Sequence, residues 1–399
     1  MAPLNAGSTL CRRCNENEVT HTIRSEPTCG PCYRRYVQMK SVKRLEAASK
    51  EMRAAPSQTK KVLVGLSYGV SSSSLIHMLD ESVKNQLKKR PTPAYDPVVV
   101  HVETETGDQT SSSHSQTKRL LDKFSERYPG FTFRSILLNT AMELDTIDWH
   151  SLPTVPEDSE KQPAERLHNF FARLPSTTSR ADIVRLFVRH ILISTALAEG
   201  CHALFLGCST TALAALTLGE TAKGRGFTLP WMINDGPQPV HTFIAAAPST
   251  DAGSDTTAQA ATGREVARLP IYYPLREVFR NELVEYARLV SPPLTDLILP
   301  STAAAPGSAV VSHKDVSIDD VMTRYFDEVE ASYPSIVANV VRTTAKLERL
   351  GEEGDDISCG LCGMGLDEQG DERWKGEIGD ADAGKFGTLC YGCQRSMRN

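Results

Sequence analysis

"KVLVGLSYGVSSSSLIHML", Lys61 to Leu79, decides the fold. The run Val62 to Leu66 is apolar and β-branched, as a buried strand requires; it breaks at small residues and restarts as a Ser-headed helix over 72–89. That layout is a phosphate cradle, in which the free N–H groups of a helix N-terminus face an anion. One residue conflicts with it. A backbone that wraps phosphate favours glycine, which accepts φ > 0 and leaves space, and Tyr68 stands where the chain should be smallest.

Outward from this stretch the strand–helix rhythm continues. Strands are predicted at "PVVVHVE" (97–103) and "FTFRSILLN" (131–139), separated by the amphipathic helix "HSQTKRLLDKFSERY" (114–128). A long apolar-striped helix starts at Ala181, followed by the buried strand "HALFLG" (202–207), a helix start at "STTALAALTLGE" (209–220), and a strand, Pro274 and a helix in "LPIYYPLREVFRNELVEYARLV" (269–290). Residues 317–350 are helical with a break at Pro334. Strands spaced by helices of this length imply right-handed crossovers, hence an α/β fold with a doubly wound parallel sheet. Residues 141–178 are Pro-interrupted, and the Ala/Ser/Thr/Gly stretches 244–263 and 301–312 are of low complexity, so inserts are expected near 141–178, 235–265 and 300–315.

The 399 residues carry a formal charge of −5, distributed unevenly. Residues 1–61 hold twelve Lys or Arg against five Asp or Glu, a net +7, which leaves −12 on the rest. A basic head on an acidic body fits a polyanionic partner for the head. No apolar run approaches the roughly 20 residues that span a bilayer, and "MAPLNAGSTLCRRC" lacks a signal-peptide core, so a cytoplasmic chain without membrane contact is expected.

Eight of ten cysteines form four Cys-x-x-Cys pairs: Cys11/Cys14, Cys29/Cys32, Cys359/Cys362 and Cys390/Cys393. In a reducing compartment disulfides are disfavoured, while two-residue spacing lets both thiolates of a knuckle reach one tetrahedral Zn²⁺. Two structural zinc ribbons follow, one at each end, with an iron–sulfur cluster as the rival occupant. Spacing favours local pairing of the knuckles over pairing across the termini. The chain divides accordingly into an N-terminal ribbon with a basic helix (1–56), an α/β domain (57–350) and a C-terminal ribbon with an acidic insert at 367–382 (351–399). Cys201 and Cys208 are left over; they read as buried structural thiols, or alternatively as a persulfide carrier or cluster ligand.

The loop resembles the Ser-Gly-Gly-x-Asp-Ser pyrophosphate loop of ATP-dependent adenylating enzymes. Ser67, Gly69 and Ser72 match it, Tyr68 replaces the first glycine and Ser71 replaces the aspartate. "FLGCSTTALA" stands where catalytic relatives carry Gly-His-Asn-x-Asp-Asp: Gly207 matches, and Cys208, Thr211 and Ala212 replace the His and acidic positions. "YPLREVFRNELVEYA" resembles the signature of the tRNA-modifying members. With ribbons at both ends, the chain resembles the cytoplasmic tRNA 2-thiolation protein 2 family, the second subunit of the complex that thiolates the wobble uridine.

That resemblance implies a partner of a catalytic paralogue in a cytosolic complex. It also implies tRNAs for Lys, Glu and Gln as substrates, and sulfur delivered as the thiocarboxylate of a ubiquitin-related modifier. The catalytic subunit has a cysteine pair before the long helix, where "LPSTTSRADIVRLF" here has none. Serine cannot supply the charge of the lost aspartate, which helps organise Mg²⁺, and Tyr68 brings a ring toward the α-phosphate position, with positive φ costing about 1 kcal/mol. Bound ATP is therefore not expected, and Ser71 to Ser74 are left as caps of the helix or as an anion cradle. The expected role is a scaffold that presents tRNA.

For RNA contact the head offers Arg12 and Arg13 inside one knuckle and Arg34 and Arg35 after another, with Tyr33 and Tyr36 interleaved. The next helix adds Lys40, Lys43, Arg44, Lys50 and Arg53. Guanidinium groups pair with phosphates and rings stack on splayed bases.

Overall fold

The computed structural model describes residues 10–52, 58–105, 110–152, 160–243, 264–299, 316–349, 358–365 and 389–397. Arg53, the stretches 244–263 and 301–312 and the acidic insert 367–382 lie outside them.

The head begins with a small antiparallel hairpin, β1 (His21–Ile23) and β2 (Glu26–Thr28), followed by helix α1 (Gly30–Glu51), which has Pro31 in its first turn. One face of α1 buries Tyr33, Val37, Leu45 and Ala48. Tyr95 Oη donates to the carbonyl of Leu45 and ties the helix to the sheet.

The sheet is formed by β3 (Lys60–Gly65), β4 (Tyr95–Glu103), β5 (Thr132–Leu137), β6 (Ala203–Phe205), β7 (Gly236–Thr242) and β8 (Arg264–Tyr272), in the order β5-β4-β3-β6-β8-β7. Val62, Val64 and Leu63 on β3, and Val98 to Val100 on β4, are buried on both faces, as crossover-covered strands are. The five strands β3, β4, β5, β6 and β8 run parallel, and β7 pairs antiparallel with β8. The expected doubly wound parallel sheet is present and carries one antiparallel edge strand. Strand β7 falls in the segment 235–265 that composition marks as an insert; its sequence, GPQPVHT, has two prolines, which an edge strand tolerates.

Helix α2 (Val70–Leu87) follows β3, and α3 (Thr110–Arg127) follows β4. Segment 141–178 is more ordered than its prolines suggest: a 3₁₀ turn (Leu138–Glu143) runs into it, and α4 (Pro163–Ala172) uses Pro163 as a helix starter. Helix α5 (Thr177–Ala198) begins four residues before Ala181 because Ser176 accepts from the Ser179 N–H and caps it. Helices α6 (Thr210–Ala222), α7 (Leu229–Met232), α8 (Arg280–Leu289), α9 (Ile318–Ser332), α10 (Pro334–Thr344) and α11 (Tyr391–Met397) complete the chain.

Two apolar clusters fill the two faces of the sheet. One, built around Val62, Leu75, Phe124 and Tyr286, joins the head to α2 and α8. The other, built around Leu63, Phe187, Ile191 and Ile271, also takes in Cys359, Cys362, Cys390 and Cys393. The C-terminal knuckles are part of the core.

Candidate functional site

The strand order reverses direction at β3, where β4 and β5 lie to one side and β6 to the other, and ligands of open α/β sheets bind at the carboxyl ends of such strands. Both sequence signatures lie there. Ser67 to Ser72 follows β3, and Gly207 to Thr211 follows the adjacent β6. The loops touch. A Cβ on Gly207 would lie 2.8 Å from Ser72 Cα, so only glycine permits this approach.

The local geometry of the first loop is kept, but its chemistry is not. Tyr68 adopts φ +56°, the left-handed conformation that the resemblance demands of a glycine. Its ring is not at the loop mouth, as expected, but fully buried beneath it: it lies 4.4 Å from the His101 ring and 5.8 Å from Phe124, and Oη donates to the Thr117 carbonyl at 3.2 Å. Burial gain in the core outweighs strain of about 1–2 kcal/mol. The serines are not caps either. Gly69 is the N-cap of α2 and makes no side-chain cap. Ser72 Oγ accepts from the Ser67 N–H and donates to the Gly69 carbonyl, both at 3.2 Å, so that hydroxyl closes the loop on itself. Ser73 and Ser74 hydroxyls are buried without partners, and Ser71 faces the adjoining cleft.

In the second loop, Ser209 caps α6 by accepting from the Ala212 N–H at 3.1 Å. Thr211, at an acidic position of the catalytic relatives, donates to the Glu330 carboxylate of α9 and accepts from the Arg280 N–H at 3.1 Å. Cys208 lines the cleft, and burial pushes its thiol up to about 11, with Arg189 opposing. Burial pushes Cys201 up to about 11 as well. Both therefore stay protonated near neutral pH, the opposite of an activated thiolate.

The cysteines gather locally into two groups of four, Cys11/Cys14/Cys29/Cys32 and Cys359/Cys362/Cys390/Cys393, with all sulfurs of a group within 4.8 Å of one another. Sulfurs at about 2.3 Å from a tetrahedral ion stand roughly 3.8 Å apart. Cys14 and Cys29 are 3.7 Å apart and Cys362 and Cys390 are 4.0 Å apart, so both groups fit such an ion.

Their surroundings differ. Around the N-terminal group, Cys14 and Cys32 are partly exposed. The C-terminal four are all buried, and Cys359 Sγ accepts from the Cys390 N–H at 3.3 Å. Behind them sits an ion network that the sequence reading missed. Arg225 is fully buried; Nε donates to Glu220 at 2.8 Å, Nη2 to Asp182, and Nη1 to Cys393 Sγ at 3.8 Å. Lys223 joins Asp182 at 3.0 Å and Asp319 at 2.8 Å, Arg185 joins Glu220 at 2.6 Å, and Ser396 donates to Asp182 at 2.8 Å. Burial alone would raise both carboxyls, but the surrounding cations hold Asp182 well below the usual range and Glu220 down at about 2. A carboxylate inside the apolar stripe of α5 was the available signal for this network. His190 also belongs to this region, with Nε2 at 2.8 Å from the Leu361 carbonyl.

The basic head is divided by its contacts. Arg13 pairs with Glu26 at 3.0 Å, Lys40 with Glu282 at 2.8 Å, and Arg44 with Asp235, so these three are internally neutralised. Tyr33 is core, its ring tilted against His21 at 5.0 Å; Tyr36 is flanked by Arg13 and Lys40 at 5.2 and 4.5 Å. Arg12, Arg34, Arg35 and Lys43 form no ion pair among the described residues. Lys40 and Arg44 instead line a groove of about 1120 Å³ with Arg24, Arg276, Arg342 and Arg349.

A sequence profile of the cytoplasmic tRNA 2-thiolation protein 2 family matches residues 317–385. Curated relatives carrying that name are 35% identical in Phaeosphaeria nodorum, over 98% of this chain and 96% of the relative, and 35% identical in Pyrenophora tritici-repentis, over 99% and 96%. A relative of the same name from Aspergillus clavatus is 29% identical over 97% of this chain and 96% of its own length. Among solved structures, the chain is similar to the U34-tRNA thiolase NcsA from Methanococcus maripaludis with its [4Fe-4S] cluster, at TM-score 0.51 and 15% identity over 92% of this chain and 96% of that one. At that identity the likeness establishes the pyrophosphate-loop fold. Near-full-length identity with the curated relatives establishes more: the chain belongs to the cytoplasmic tRNA 2-thiolation protein 2 family.

Proposed function

We propose that the chain is the non-catalytic subunit of a cytoplasmic tRNA-thiolation complex, presenting tRNAs for Lys, Glu and Gln to a catalytic paralogue. The paralogue adenylates the wobble-uridine carbonyl with ATP, and sulfur arrives from a ubiquitin-related modifier thiocarboxylate. The observation that carries this reading is the fate of the two loops: positions that hold Mg²⁺ and phosphate in catalytic relatives are here Ser71, Thr211 and Ala212, with the Ser72 and Thr211 hydroxyls spent on internal bonds. The two cysteine groups hold structural zinc; the ion would supply folding energy and no step of the reaction.

For tRNA, Arg12, Arg34, Arg35 and Lys43 are the cations free to meet phosphates. Tyr36 supplies the aromatic surface among the charges. The test is complementation in cells lacking the protein, read as 2-thiouridine in bulk tRNA. The wild-type chain and the Ser71→Ala/Ser72→Ala variant are expected to restore it equally, and a variant with Arg12, Arg34, Arg35 and Lys43 changed to Glu is expected to fail. Loss of thiolation in the serine variant would show that this loop still handles nucleotide.

A further inference from the structure

The two cysteine groups share a spacing but not an environment. Cys14 Sγ stands 3.7 Å from Cys29 Sγ, and Cys362 Sγ stands 4.0 Å from Cys390 Sγ, so spacing alone does not distinguish them. Access does. All four C-terminal cysteines are buried, in one core cluster with Leu361, Met364, Leu389 and Met397. In the N-terminal group Cys14 and Cys32 are partly exposed. Cys14 lies in the loop Arg12 to Glu18, whose other residues are all exposed, and its sulfur receives the Asn17 side-chain amide at 3.7 Å.

That loop has no apolar side chain besides Cys14 to anchor it. Backbone bonds tie it down, from the Cys11 N–H to the Asn17 carbonyl at 2.8 Å and from the Arg12 N–H to the Pro27 carbonyl at 3.2 Å, with the partly exposed Arg13–Glu26 pair. Such a pair contributes little, so the order of the loop depends on the sulfurs and the ion they would share. Helix α1 is held separately, by the burial of Tyr33, Val37 and Leu45.

We propose that Cys14 is an oxidation site, at which a peroxide opens the N-terminal cysteine group and leaves the C-terminal group closed. A ligand thiolate is still a nucleophile. The Cys14 thiolate attacks hydrogen peroxide: an S–O bond forms, the O–O bond breaks, and the departing hydroxide is protonated to water. The Cys29 thiolate then attacks that sulfur, forming the S–S bond and expelling the remaining oxygen as a second water. Two thiolates give up two electrons, the peroxide is reduced to two waters, and two protons come from solvent. Two ligands remain, too few to hold a structural ion, and the loop loses what orders it. For its consequence the inference rests on the proposed function: Arg12 leaves the set of cations that meets tRNA, so the head presents RNA fully only while reduced.

Treatment of the full chain with hydrogen peroxide tests it, read by metal analysis, by mass-spectrometric thiol mapping and by tRNA binding. One of the two proposed ions is expected to leave, with a Cys14–Cys29 disulfide, reduced C-terminal cysteines and an unchanged main melting transition. Binding of tRNA is expected to weaken roughly tenfold, as for one lost charge-assisted contact, and to return with dithiothreitol and zinc. Cys14→His, which keeps a metal ligand but cannot form the disulfide, is expected to hold both ions through the same treatment. Equal loss from both groups, or loss from Cys14→His at the wild-type rate, overturns the inference, as does ion loss with unchanged tRNA binding. A chain without metal before treatment contradicts the zinc reading and the inference together. A reduced, metal-loaded chain that binds no tRNA contradicts the proposed function, while ion release and the mapped disulfide still decide the oxidation site.

Discussion

The paired loops and the C-terminal cysteine group diverge in opposite ways. At the loops the backbone plan survives, down to a positive φ at Tyr68 and the Gly207–Ser72 approach, while the residues that would act on a nucleotide have become core and hydroxyl groups. At the C-terminal group all four metal-competent cysteines are present and buried, and Cys393 accepts from Arg225. On the proposed reading the loops retain shape without reactivity, and the cysteines retain reactive groups committed to structure. On that reading, positions released from catalysis are recruited to packing, because nothing then opposes burial of a large ring.

The largest effect should come from the cysteine side. If the two cysteine groups hold the proposed ions, Cys393→Ser removes a metal ligand and leaves the Arg225 guanidinium without its sulfur, so a loss of about 3–5 kcal/mol in denaturant unfolding is expected, together with loss of one of two metal ions by metal analysis. Cys14→Ser, in the partly exposed group, should lose one ion with a smaller stability change and leave the sheet intact by circular dichroism. Equal destabilisation by the two substitutions would erase the distinction between peripheral and core-integrated sites.

Next is Tyr68→Gly. It relieves about 1–2 kcal/mol of left-handed strain but deletes a buried aromatic worth roughly 3–5 kcal/mol, so net destabilisation of about 1–4 kcal/mol is expected by urea titration. A more stable variant would mean that the ring is not core and that the loop is held open for another purpose.

Acid should reach the cysteine side before the loops. The surrounding cations hold Glu220 down at about 2 in the folded chain against an ordinary value of 4.5, so its contribution is present above pH 4.5 and is lost as pH falls from 4.5 toward 2, on the order of 3 kcal/mol. Unfolding free energy measured across that window should drop steeply for the wild type and less for Glu220→Gln. Parallel curves would remove the network from the account.

Gly207→Ala is a smaller test of the loop contact. A Cβ placed 2.8 Å from Ser72 Cα forces the two loops apart at a cost of about 1–3 kcal/mol, read as a lower midpoint with unchanged slope in urea. The smallest expected change is for Lys40→Ala, below about 1 kcal/mol, because a partly exposed pair contributes little to stability.

Much of this was legible in the sequence. The strand–loop–helix at Lys61, the apolar strands and four Cys-x-x-Cys pairs carry their own periodicity and spacing, which is why the α/β fold and the clustered cysteines could be read directly. Strand β7 was hidden by its two prolines and by neighbouring low-complexity sequence. The direction of the Tyr68 ring was hidden because φ > 0 can be inferred from a motif, whereas the side chain's surroundings come from β4 and α3, more than thirty residues away. Asp182, Glu220, Lys223 and Arg225 are spread over 44 residues and carry no shared motif; only folding, with the return of the chain at Cys393, brings them together. Lys40 and Arg44 looked available for RNA until folding brought Glu282 and Asp235 against them.

The most direct test of the central claim is thiolation of an unmodified tRNA in vitro, read as retardation on a mercury-containing gel, with this chain alone and with its intact-loop paralogue. Thiolation only when both are present, unchanged by Ser71→Ala or Ser72→Ala, is the predicted result. Thiolation by this chain alone, or its loss in either serine variant, would contradict it.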